Sequence, residues 1–390
     1  MLLVGPAFPP SLPFWKHHGK PKRSAEWRMP NPRTNTRYRY APATASRSTP
    51  DTMSQYSHLS PPDPQFLDLS SKLPLLATAV PLDVASLRHM MTTRVVPQIL
   101  QTFGPLLPAE SSYRVRNLDL PVDGGTIAIR CIQPIARNDE DSFPLVVWFH
   151  GGGWVCGDLD IDDFHLRIIS VELRISIVNV DYRLAPEHPF PTGLNDCYAA
   201  LKWTAVNAAE LSGAPAKGFL IGGVSAGAHY AAIVGHRARD DVFFQSTPLT
   251  GQILQIPAAV HIAGYPERFK ADLLSIEQNK DAPMLNKANC EFFWNCLQAT
   301  LSDPEASPLI LQHEGLAPAY IQVAGLDPLR DEGLLYERLL RESGVKIKLD
   351  VYPGVPHGFH RLPLAASKKW ETDFRTGLRW LLSGHSADGI

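Results

Sequence analysis

The sequence predicts an α/β protein: a mostly parallel sheet with helices on both faces. Two observations point there. From residue 65 onward, strand-length apolar runs alternate with helical stretches, and several runs are apolar throughout rather than at every second residue. That is the mark of strands covered on both sides. The chain is also long enough, at 390 residues, to bury such a sheet, because α/β sheets often run past about 200 residues as one unit.

The elements follow in order. Segments 65–76 and 82–103 have the apolar spacing of short helices. Segments 114–122 and 126–134 read as two strands about the turn Asp123-Gly124-Gly125. A strand at 145–149 is followed by a helix near 163–173, one at 175–180 by a helix near 192–208, and one at 218–221 by a helix starting at Ser225. A further apolar run covers 253–263. A strand at 320–324 precedes a helix near 332–343, and a strand at 345–352 precedes the last helix, 365–382. The interval 266–303 breaks this rhythm with a charged and then aromatic stretch (Phe292, Phe293, Trp294), and reads as an insertion between sheet elements. Those aromatics suit core packing or a pocket wall equally.

Formal net charge is −2, so no global field favours nucleic acid or a membrane surface. The balance is uneven along the chain. Residues 1–52 hold nine Lys/Arg against Glu26 and Asp51, which leaves 28 basic and 37 acidic groups, a net of −9, in the rest. Residues 1–60, rich in Pro, Ser, Thr and Arg and without period, are expected to be disordered. Such a leader fits an inert extension or a start upstream of the real one at Met53. Being Arg- and Ser-rich and acid-poor, it also fits a mitochondrial transit peptide. The proline-broken first residues lack the charged start of a secretory signal. Five scattered cysteines, an odd number, fit free thiols in an intracellular and cytoplasmic protein. No apolar run reaches the roughly 18 residues of a membrane span.

Gly223-Val224-Ser225-Ala226-Gly227 is a G-x-S-x-G pentapeptide between an apolar run and a helical one. A serine lifted clear of a sheet on a sharp strand-to-helix turn needs neighbours without side chains two residues before and after it. The motif alone arises by chance in roughly one chain in ten of this length, given Gly and Ser near 7% each. His150-Gly151-Gly152-Gly153-Trp154, at the end of the 145–149 strand, is far rarer. Its glycines let backbone N–H groups face an incoming anion with no Cβ in the way. Gly152, Gly153 and, from the elbow, Ala226 are the expected donors of an oxyanion hole, and His150 is expected to brace the loop. Asp327 and His357 each lie just past an apolar strand. The order Ser225, Asp327, His357 is that of an α/β-hydrolase triad. Asp331 and His360 are their nearest rivals.

The chain resembles the hormone-sensitive-lipase-like family of α/β-hydrolases over roughly residues 60–385. The resemblance rests on His150–Trp154, the stretch Asp181–Pro191, the elbow, Ser307-Pro308-Leu309, Asp327–Gly333 and His357-Gly358-Phe359. The family usually has Asp before the nucleophile and Gly after the pentapeptide, where this chain has Val224 and Ala228; the difference bears on the support of the elbow and the width of the pocket. The resemblance implies an α/β-hydrolase fold whose catalytic domain spans 105–385. Helices over 61–104 and the insertion 266–303 would form a cap supplying an apolar acyl or alcohol pocket. It implies a serine carboxylester hydrolase acting on a small or medium-sized ester through an acyl-enzyme. The expected partner is that small molecule, with neither a metal nor an organic cofactor. The same machinery can open an amide or thioester. Receptor-like relatives that only bind a small ligand lose the histidine that this chain keeps as His357.

Overall fold

The structure, a computed structural model, describes residues 55–73, 82–138, 140–301 and 303–384. Eight strands form one sheet: β1 (Tyr113–Val122), β2 (Gly125–Pro134), β3 (Leu145–Phe149), β4 (Ser176–Asp181), β5 (Phe219–Val224), β6 (Gly251–Gln255), β7 (Ala319–Leu326) and β8 (Ile347–Pro356). Their order is β1-β2-β4-β3-β5-β6-β7-β8. The hairpin β1–β2 is antiparallel and turns at Gly124, at φ 72°; β2 also runs antiparallel to β4. Every other pairing is parallel.

Ten α-helices accompany the strands among the described residues: α1 (Pro64–Lys72), α2 (Val84–Met90), α3 (Val96–Phe103), α4 (Asp160–Leu173), α5 (Thr192–Val206), α6 (Ala226–Asp240), α7 (Ser275–Gln278), α8 (Lys287–Leu297), α9 (Arg330–Glu342) and α10 (Ala365–Leu382). Successive residues of β3 serve opposite layers. Leu145, Val147 and Phe149 join a core with Leu194, Leu201, Tyr230 and Ile233 of α5 and α6. Val146 and Trp148 join one with Leu166 and Ile169 of α4 and Trp370, Phe374 and Leu378 of α10. Both faces of the strand are therefore dry, which is why its sequence is apolar throughout rather than alternating. Adjacent strands β3 and β5 lead their chains to opposite sides of the sheet, and the crevice this opens at their C-terminal ends is where α/β proteins bind ligands.

Two expectations are corrected and a third is made more specific. The run 253–263 is a strand only as far as Gln255; Ile256 then turns the chain at φ 41°, and Ala258, Ala259 and Val260 stay buried without strand pairing. Their apolar character reports burial rather than a ladder. The short helices expected over 82–103 are α2 and α3, joined by a π turn, Met91–Val95. Pro97 follows in the first turn of α3, where it has no N–H to donate to a carbonyl one turn back, and a wider turn absorbs the loss. The end of the expected disordered leader is ordered. Ser57–Leu59 form a 3₁₀ turn, Ser60 Oγ accepts from buried Arg330 Nη1 at 2.6 Å, and Asp63 N–H donates to Gly354 O at 2.8 Å. Residues 1–54, and with them the transit-peptide and Met53 readings, lie outside the described residues. Among the described residues no helix is long and apolar enough to cross a membrane.

Gly377 shows how tightly α10 meets the sheet. A Cβ there would lie 2.3–2.5 Å from ring atoms of buried Tyr320 on β7. Helix propensity alone would make Gly377→Ala stabilising by about 1 kcal/mol. Overpacking a rigid ring costs about 1–3 kcal/mol, so the expected sign is reversed: the urea midpoint of Gly377→Ala falls below that of the wild type.

Candidate active site

Ser225 sits between β5 and α6 at φ 56°, ψ −116°, a conformation that L-residues adopt only when their surroundings enforce it. Three glycines make it affordable. A Cβ on Gly223 would lie 2.5 Å from Gly227 C and from Phe149 O, one on Gly227 1.9 Å from Phe149 O, and one on Gly151 3.0 Å from Val224 O. The Ser225 N–H donates to Gln255 O on the next strand at 2.8 Å. Val224 and Ala228, the two departures noted in the sequence, are both buried. Val224 lines the cavity beside Ser225, while the elbow amide takes its partner from β6.

The ends of β7 and β8 bring two more residues to this point. His357 Nε2 lies 2.9 Å from Ser225 Oγ, and His357 Nδ1 lies 2.7 Å from Asp327 Oδ2. Asp327 is buried; its Oδ1 accepts from Leu329 N–H at 2.8 Å, and its carbonyl accepts from Asn279 Nδ2 at 2.9 Å. The rivals go elsewhere. Asp331 accepts from the N–H groups of Leu274 and Ser275 and pairs with Arg330 Nε at 2.8 Å. His360 stacks on Trp370 with ring centroids 5.1 Å apart, and burial pushes its imidazole well below the ordinary range.

Gly151, Gly152, Gly153 and Ala226 line the same cavity as Ser225. Gly152 and Gly153 have φ of 126° and 60°, both open to glycine at little cost. Gly152 O accepts from Val155 N–H at 3.1 Å and Cys156 N–H at 3.0 Å, closing the loop on itself. His150 is fully buried, stacks on Tyr182 with centroids 4.3 Å apart, and lies with Nδ1 2.8 Å from Gly151 O. Tyr182 OH donates to His150 O at 2.8 Å, so the Asp181–Pro191 stretch supports the loop from behind.

The cavity measures about 540 Å³, within the roughly 300–1,000 Å³ of small-molecule sites. Leu87, Met90, Met91 and Val95 line one part of it, and Met284, Leu285, Phe293 and Trp294 another. The aromatic stretch of α8 serves both expected ends. Trp294 packs in the core against Trp154, His229 and His261 (centroids 4.6, 5.5 and 4.4 Å), and it also lines the cavity with Phe293.

Some supporting residues carry no local sequence signal. Arg88 of α2 donates to Val155 O (2.8 Å) and Ala185 O (3.0 Å) and forks onto both oxygens of Glu187 (2.8 and 2.7 Å). This ties the first helices to the loop beside the glycines across more than 60 residues of chain. Others stood inside quoted motifs without an assigned role. Glu332 accepts from the N–H groups of Ala259 and Val260 (2.8 and 3.2 Å) and from Tyr265 OH (2.8 Å), and burial pushes its carboxyl up to about 7 against the pull of these donors. Ser307 Oγ accepts from His261 N–H at 3.0 Å. Together they fix the buried segment that follows β6.

Comparison with known proteins identifies the family to which this fold belongs. A family profile described as the alpha/beta hydrolase fold matches residues 146–361. Carboxylesterase NlhH of Mycobacterium tuberculosis is 35% identical over 301 residues, covering 75% of this chain and 89% of that one. Versiconal hemiacetal acetate esterase of Dothistroma septosporum is 34% identical over 63% of this chain and 76% of its own length. The crystal structure of vibralactone cyclase superposes with a TM-score of 0.81 at 38% identity, covering 84% of this chain and 97% of that one. The chain belongs to the hormone-sensitive-lipase-like family of α/β-hydrolases, and it is a serine ester hydrolase.

Proposed function

We propose that the chain hydrolyses a small to medium-sized carboxylic ester through a covalent acyl-enzyme, with Ser225 as nucleophile, His357 as general base and Asp327 as its orienting partner. The observation that carries this is His357 bridging the other two, 2.9 Å from Ser225 Oγ and 2.7 Å from Asp327 Oδ2.

The chemistry follows from the positions. The His357 Nδ1–H donates a hydrogen bond to the Asp327 carboxylate, which leaves Nε2 free to take the Ser225 proton as Oγ attacks the ester carbonyl. The carbonyl oxygen becomes an anion against the N–H groups of Gly152, Gly153 and Ala226, the last at the positive end of α6. The imidazolium then protonates the leaving alcohol, and water repeats the cycle on the acyl-enzyme. The helices over 84–103 and the stretch 266–303 act as a cap, because both supply apolar wall to the cavity that holds Ser225. Met90, Met91 and Met284 in that wall suit a pocket that adapts to acyl groups of different shape. Five unpaired thiols favour a reducing, intracellular setting.

The likeness to vibralactone cyclase favours one further reading. With the same acyl-enzyme, a hydroxyl on the acyl chain itself could replace water as the second nucleophile, giving a cyclic ester and no net hydrolysis. Hydrolysis and ring closure are told apart by the products formed from an ω-hydroxyacyl nitrophenyl ester.

A fluorophosphonate probe is expected to label Ser225, located by mass spectrometry, and to label neither Ser225→Ala nor His357→Ala. An unlabelled, folded wild type would overturn the reading. On a nitrophenyl ester, Ser225→Ala is expected to lose about 10⁶ in kcat and Asp327→Asn about 10⁴, through the wrong imidazole tautomer. Gly153→Ala combines an unfavourable φ with a Cβ 2.5 Å from the Phe293 ring; stopped-flow acylation should show at least the loss of about 10²–10³ that removing one oxyanion donor brings.

A further inference from the structure

The cavity wall is charged in one sense. The ionised side chains that line it are Arg94 and Arg361, and no Asp or Glu is among its lining residues. This stands against a chain that carries a net of −9 over residues 53–390. Arg361 faces one carboxylate, Asp162, at 3.5 Å, and Asp162 also accepts from Trp148 Nε1 at 2.9 Å. Arg94, in the π turn between α2 and α3, forms no ion pair among the described residues. Its neighbours along that wall, Met90, Met91 and Val95, are apolar. Elsewhere on these helices the arginine is paired: Arg88 is held by Glu187 and two carbonyls.

A cleft with walls of one sign and low polarizability focuses the field on whatever enters it. A guanidinium offers a planar fork that matches a carboxylate in a way a point charge does not. An ester with a positive group would meet only cations and the neutral wall, whereas one bearing an anion would find a free partner. From this composition we infer that the preferred substrate is an ester carrying a negatively charged group, a carboxylate by the match to guanidinium, away from its scissile bond, and that Arg94 reads that group. The inference rests on the esterase reading above and adds the substrate class to it.

The test compares three 4-nitrophenyl esters of matched length: pentanoate (neutral), hemiglutarate (anionic) and 5-(trimethylammonio)pentanoate (cationic). A second series keeps an acetyl group and places a carboxylate, an amide or a trimethylammonium on the phenol. In at least one series the wild type is expected to favour the anionic over the cationic ester by about tenfold or more in kcat/KM, and 0.5 M NaCl is expected to shrink that preference. In that series Arg94→Gln is expected to lower the anionic-to-neutral ratio about five- to tenfold, with the change mainly in KM, and Arg94→Lys to restore part of it. No charge preference in either series, or a ratio untouched by Arg94→Gln, overturns the inference while neutral-ester turnover leaves the esterase reading standing. Absence of turnover on every ester overturns the esterase reading first.

Discussion

Where β5 turns into α6, three stretches of backbone meet with no room for a side chain. Gly223, Gly227 and Gly151 each stand where a methyl group would collide with a neighbouring main chain, at 2.5, 1.9 and 3.0 Å. This crowding holds Ser225 at a positive φ and sets the glycine loop after β3 directly beside it. The nucleophile and the expected oxyanion donors are thus positioned by the same close approach. The register of β3 on β5, Phe149 opposite Gly223, fixes that approach, and the two faces of buried apolar side chains fix the register. The remaining site residues reach this point because β7 and β8 end beside it.

Much of this was legible in the sequence because its causes are local. Strand β3 is a continuous apolar run and β4 and β7 are mostly apolar ones, each next to a helical stretch, and they lie within a few residues of the segments expected. The elbow and the His-Gly-Gly-Gly-Trp loop announce themselves because only glycine fits there. Ser225, Asp327 and His357 stand at the ends of strands, where the alternation of the chain already put them.

What was not legible depends on contacts between distant parts of the chain. Composition read residues 55–60 as part of a disordered leader, because nothing in them says that Ser60 will meet Arg330 or that Asp63 will bond to Gly354. Apolar composition extended β6 to residue 263, because a buried irregular segment and a strand have the same side chains. In the structure Glu332 and Ser307 supply the hydrogen bonds that a neighbouring strand would otherwise give Ala259, Val260 and His261. Both residues were visible in motifs, but their purpose is set by a segment 46 to 73 residues away. The elbow's support from the Gln255 carbonyl leaves no trace in side-chain identity at all.

The fork of Arg88 onto Glu187, Val155 and Ala185 has a consequence for anyone recombining members of the family. The helices over 84–103 are not an independent module resting on the sheet, since Arg88 is solvated by two carbonyls and a carboxylate belonging to the 154–187 stretch. A chimera that imports these helices from a homologue while keeping the recipient's 154–187 stretch would leave either an unmatched carboxylate or two carbonyls without a donor. The natural crossover unit is therefore discontinuous in sequence: the helices and the strand-to-loop stretch beneath them travel together, or the seam between them must be rebuilt.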